Sequence, residues 1–134
     1  MATREIPPDA WRQFFDEFSR RHEGWLVDVE VLADAGAQLE AEGLPLEGIS
    51  ADRGNASVSL ALVSDDRFVE HSILRPAQVR VEEEEGEDDD EVEPGAEAAI
   101  EIETEEGEVT ILRFQAALQS DEAEGIPAGR GRTR

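Results

Sequence analysis

The hydrophobic period of this chain changes once, and that change limits the folds open to it. Before Gly24 the residues Trp11, Phe14, Phe15 and Phe18 fall at i, i+3, i+4 and i+7, which is one stripe of a helix. After Gly24 the period is two. Trp25, Val27, Val29 and Val31 alternate with Leu26, Asp28, Glu30 and Leu32, the pattern of a half-buried strand. A pattern of one period does not settle into an element of the other. One helix must therefore precede a strand-rich remainder.

The spacing predicts that helix from about Pro8 to His22. Pro8 suits the first turn, where a missing N–H costs nothing. Asp9 near the start and Arg20, Arg21 and His22 near the end complement the helix dipole. Asp16–Arg20 and Glu17–Arg21 have the i,i+4 spacing of ion pairs, and Gly24 follows as the C-terminal cap. Three of the five Phe and one of the two Trp lie on this segment, so it supplies much of the core.

The remainder reads as short strands separated by turns. Ala37–Glu42 and Leu44–Ile49 form two of them, with Pro45 marking an edge or bulge in the second. Val58–Leu62, Phe68–Ile73 and Gln78–Val81 follow. Ala98–Ile102 and Val109–Phe114 make a hairpin across Glu105-Glu106-Gly107. Residues 1–6 read as a frayed start. The expected fold is α+β: one N-terminal amphipathic helix packed on a strongly bent antiparallel sheet, or partial barrel, of about seven short strands. A single domain over residues 1–120 is expected, with an acidic loop at 82–95 and a disordered tail at 121–134.

Charge narrows the function classes. The chain holds 34 Asp and Glu against 12 basic residues, all of them Arg, for a formal charge of −22. Residues 82–93 hold ten of the acids; without them 24 acids still face 12 bases, so the excess is general as well as local. A salt-rich cytoplasm and an ordinary acidic protein with one acidic loop both account for it. Either way the chain repels phosphates and anionic lipids, and neither a nucleic-acid nor a membrane partner is expected. The longest apolar run, Leu60 to Val63, is too short to span a bilayer, and the N-terminus lacks the apolar core of a signal peptide. A cytoplasmic location is expected.

Catalytic constellations are missing from the sequence. Without Cys there is no disulfide framework and no thiolate metal site. The chain contains no G-x-S-x-G elbow, no G-x-G-x-x-G, no Walker A loop and no H-E-x-x-H pair. Asp88-Asp89-Asp90-Glu91 is contiguous, without the alternation of a calcium loop. No catalytic residue, metal ligand or cofactor is assigned. The candidate binding residues are Arg20, Arg21, His22 and Trp25, where Arg could act as a fork for a carboxylate or phosphate. Helix capping is the plainer account of the same residues. Arg75 and Arg80, near a strand bend, would extend that patch.

Several strings carry a resemblance. They are Ile6-Pro7 ahead of the aromatic helix, FSRRHEGW from Phe18 to Trp25, and Leu44-Pro45-Leu46-Glu47-Gly48-Ile49. Arg75-Pro76 through Val81 and Ile111-Leu112-Arg113-Phe114 complete the set. Together, over roughly residues 4–114, the chain resembles a small prokaryotic family, the domain of unknown function 5335 family. The resemblance implies no activity.

Three functions are weighed. The first is a non-catalytic domain that binds another protein or itself, through an edge strand or the Arg20, Arg21 and His22 surface. The second is an acidic nucleic-acid mimic using residues 82–93, which needs charges held at fixed spacing. The third is a small enzyme with a carboxylate-based site, which needs acids of raised pKa in a pocket.

Overall fold

A computed structural model describes residues 2–83 and 97–116. The expected tail at 121–134 and residues 84–95 of the expected acidic loop lie outside the described residues. Glu82 and Glu83 do not belong to a loop: both are strand residues.

The aromatic stripe forms helix α1, Trp11–His22, which buries Trp11, Phe14, Phe15, Phe18 and His22. The α-helix begins later than the expected Pro8. Pro7 and Pro8 have no N–H to give, and the N–H of Ala10 bonds the carbonyl of Pro7 at 2.9 Å. That i to i−3 bond makes Pro8–Ala10 a 3-10 turn. At the far end Gly24 takes φ 86°, the left-handed conformation that ends helices cheaply.

Eight strands follow the numbering β1 Ala2–Ile6, β2 Leu26–Ala33, β3 Gly36–Ala51, β4 Ser57–Ser64, β5 Arg67–Leu74, β6 Pro76–Glu83, β7 Glu97–Thr104 and β8 Val109–Gln115. They form one antiparallel sheet in the order β1-β6-β7-β8-β2-β3-β4-β5, so β1 and β5 are its edges. Two expectations are corrected. The first residues are not frayed: β1 pairs along β6, with Arg4 opposite Val81 and Ile6 opposite Val79. And Ala37–Glu42 and Leu44–Ile49 are not two strands but parts of β3, 16 residues long.

β3 bends the sheet. It pairs with β2 as far as Pro45 and with β4 from Leu46 onward. Gly43 at φ 66° and register shifts on both sides mark the change of partner. A second device completes the curl. Strand β5 lies last in the order and β6 second, yet the single residue Arg75, at φ 54°, joins them. The two ends of the sheet must therefore fold toward each other, although the sheet stays open.

The enclosed face carries the core: Val27 and Val29 on β2, Val58, Leu60 and Leu62 on β4, Ile100 and Ile102 on β7, and Leu112 and Phe114 on β8, all fully buried. Helix α1 covers this face, with Phe18 edge-on to Phe114 at 4.8 Å between centroids. Trp11 donates its indole N–H to the carbonyl of Ile6 at 2.8 Å, tying the helix start to β1. Ser19 accepts the N–H of Ile49 at 2.9 Å and donates to the same residue's carbonyl at 2.8 Å. Leu46 still exchanges backbone hydrogen bonds with Gly24 and Trp25, just ahead of β2; beyond it β3 has lost that neighbour, and Ser19 of the helix bonds Ile49 in its place.

Candidate functional site

The helix terminus gathers part of the expected patch. His22 is only 6% exposed. Its ring stacks on Phe18 at 3.8 Å and meets Trp25 edge-on at 4.4 Å. Nδ1 lies 2.9 Å from the carbonyl of Phe18, which only accepts, so Nδ1 carries the hydrogen. Nε2 then faces the Glu83 carboxylate at 4.0 Å. Glu83, at the end of β6, also meets Arg21 at 3.3 Å and Arg4 at 3.8 Å. Arg21 thus pairs across the fold rather than with Glu17, which accepts from Gln13.

Burial pushes the His22 pKa below its ordinary 6.5; the bond to Phe18 and the Glu83 charge oppose the shift, and Arg21 adds to it. In the unfolded chain His22 takes up a proton near pH 6.5, whereas the folded chain resists it to a lower pH. Its contribution to stability is therefore full above 6.5 and is lost as pH falls from there through the lowered folded value. His22→Phe keeps an aromatic ring in the stack and removes the titration. The wild type should lose stability relative to His22→Phe on acidification below pH 6.5, read by urea denaturation at a series of pH values. A parallel pair of profiles would refute a buried neutral His22.

The other expected residues lie elsewhere. Arg20 is exposed and makes no ion pair among the described residues. Arg80 sits on the outer face of β6, with Nε and Nη2 on one Glu101 oxygen at 3.1 and 2.9 Å and with Gln78 at 2.8 Å. Arg75 pairs with Glu106 at the opposite end of β6 from Glu83. At about 3.4 Å per residue, a whole strand of about 25 Å separates those ends. The structure brings together Arg21, His22 and Trp25, and sets Arg75 and Arg80 apart from them.

A second feature was not legible in the sequence. Strand β5 is an edge whose Phe68 is 70% and Leu74 64% exposed, with Glu70 and Ser72 exposed between them. Its pairing with β4 runs unbroken from Ser64↔Arg67 to Ser57↔Leu74. The two-residue turn Asp65-Asp66, at φ 51° and 70°, closes that hairpin. In such a hairpin the closing pair is hydrogen-bonded, so the peptide groups of Arg67 face β4. At the other end the N–H of Arg75 also faces β4, bonding Ala56 at 2.9 Å. By alternation, residues 68, 70, 72 and 74 turn their N–H and C=O groups to the open edge.

Behind this edge a cleft of about 320 Å³ opens between β5 and the β7–β8 hairpin. His71, Arg75, Thr104 and Thr110 line it above Leu60 and Leu112. Among the described residues no group of three or more His, Asp or Glu is placed to hold a metal ion. Among the same residues no helix is long and apolar enough to cross a membrane.

An uncharacterized protein of Aquifex aeolicus (strain VF5) is 31% identical over 119 residues, which cover 88% of this chain and 96% of that protein. No solved structure matches. The match to the "Family of unknown function (DUF5335)" runs over residues 2–123, through every described strand and the helix, and the chain belongs to that family.

Proposed function

We propose that this chain is a non-catalytic protein-binding domain whose contact is the open edge of β5. One observation carries the reading: a long, unbulged edge strand bearing two exposed large apolar side chains. Edge strands are usually protected by shortness, charge, proline or a bulge. The other edge, β1, is only five residues long, and each edge carries one Arg and one Glu. β5 is eight residues long, has no Pro, and is unbulged against β4. Its neighbour β4, SVSLALVS, carries no charge in a chain of −22. An extended segment added at this edge would find main-chain hydrogen bonds and apolar anchors together.

Two other readings have less support. The Arg21 guanidinium is already engaged by Glu83, which weakens an anion site at the helix end. Of residues 82–93, which the mimic needs, residues 84–93 lie outside the described residues.

The test is capture from host lysate with mass-spectrometric readout. The Phe68→Asp/Leu74→Asp chain should lose its partner by about 30-fold or more, the effect of removing interface anchors. Its melting temperature should barely move, because both side chains are exposed in the free chain. An Arg20→Ala/Arg21→Ala bait should keep the partner. A partner lost with the Arg change and kept by the β5 change would overturn the proposal.

A further inference from the structure

We infer that the occupant of the β5 edge is β5 of a second copy of this chain, paired antiparallel across a two-fold axis at His71. The inference rests on the reading of β5 as the contact and names its partner.

Three features fit. First, Phe68 and Leu74 stand three residues on either side of His71. A two-fold axis at His71 places Phe68 of each copy opposite Leu74 of the other, so the two exposed apolar residues cover each other. It places Glu70 opposite Ser72. An axis at Glu70 would set two carboxylates face to face, and one at Ser72 would leave Phe68 opposite no residue of β5.

Second, the main chain agrees. Residues 68, 70, 72 and 74 present their peptide groups to the open edge, as the turn closure and the Arg75 N–H fix. With the axis at His71 these residues form the hydrogen-bonded pairs, and the two His71 residues form a close, non-bonded pair.

Third, the charges permit it. Arg67 falls near Arg75 of the second copy, just past the end of its β5, and the Arg75 charge is already offset by its pairing with Glu106. The uncharged β4 lies directly behind the contact. Two chains of −22 still repel at long range, so association should tighten as salt rises.

The chain has no cysteine, so single-cysteine variants report the register directly. In a non-bonded antiparallel pair the Cα atoms stand about 4.5 Å apart, within disulfide reach. Two Glu70 positions would be offset by two residues, about 8 Å apart and out of reach. Under mild oxidation His71→Cys should form a covalent dimer about ten-fold faster or more than Glu70→Cys. Adding Phe68→Asp/Leu74→Asp should abolish the difference, and analytical ultracentrifugation of the wild type should show a dimer that strengthens with KCl. Matching far-UV circular dichroism confirms that each variant folds. A wild type that stays monomeric in molar KCl overturns the inference, as does Glu70→Cys cross-linking as fast as His71→Cys. If the chain is monomeric yet captures a different protein through Phe68 and Leu74, the binding-domain reading stands and only the second copy is lost. If capture is also absent, both fall.

Discussion

Phe18→Ala is expected to lower the unfolding free energy by about 3–5 kcal/mol, the range for deleting a buried aromatic side chain. That is a large share of the roughly 5–15 kcal/mol that holds an ordinary domain together. The reason lies in its surroundings. Phe18 is fully buried, touches Phe14 at 5.7 Å and Phe114 at 4.8 Å, and stacks on His22 at 3.8 Å. Those neighbours belong to both the helix and β8, so neither element can shift alone to fill the hole. The cost should appear in urea denaturation as a lower midpoint at unchanged slope. Phe68→Ala is the control: at 70% exposure it should stay within about 0.5 kcal/mol of wild type in the monomer. A Phe18→Ala loss no larger than the control would mean that α1 is not packed on the sheet.

The same contrast explains which parts of the fold could be read from sequence. Helix α1 was legible because four large residues at helical spacing all face the core, and no strand explains that spacing. The Val27 and Val29, Leu60 and Leu62, and Ile100 and Ile102 alternations were legible for the matching reason. β1 was not, because among its residues only Ile6 is seen to reach the core, and one buried residue makes no pattern. β3 was misread at a physically real feature. Gly43 and Pro45 do mark a bend, but the strand continues through it by exchanging β2 for β4. Local residues announce a bend; they do not announce which neighbour waits on its far side.

The site follows the same division. Arg21, His22 and Trp25 are close in sequence, so their meeting at the helix end was accessible. Glu83, which draws Arg4, Arg21 and His22 together, is 62 residues from Arg21 and arrives through the pairing of β6 with β1 and β7. Arg75 and Arg80 look close in sequence, but Arg75 belongs to one end of β6 and Arg80 to its outer face. The β5 edge carried no local mark at all. Phe68, Glu70, Ser72 and Leu74 mix apolar and polar residues on one face, and nothing in them says that β5 comes last in the sheet.

Ser19→Ala is expected to cost about 2 kcal/mol, although it deletes a single oxygen. A serine inside a helix ordinarily bonds a carbonyl of the preceding turn or solvent. Ser19 instead satisfies both the N–H and the C=O of Ile49, on the stretch of β3 that β2 has left. Alanine leaves both groups without that partner beneath the helix. Ser50→Ala, one residue along and exposed, should cost almost nothing. Hydrogen exchange supplies the site-specific readout: the Ile49 amide should lose protection in Ser19→Ala while amides along β2 and β8 keep theirs. Unchanged protection at Ile49 would show that water or a local rearrangement replaces the hydroxyl, and the helix would lose its role as a substitute strand. The expected result bears on function. The fold would then satisfy one released stretch of strand with a helical serine and leave the longer β5 edge unpaired, which is the asymmetry expected if that edge is kept for a partner.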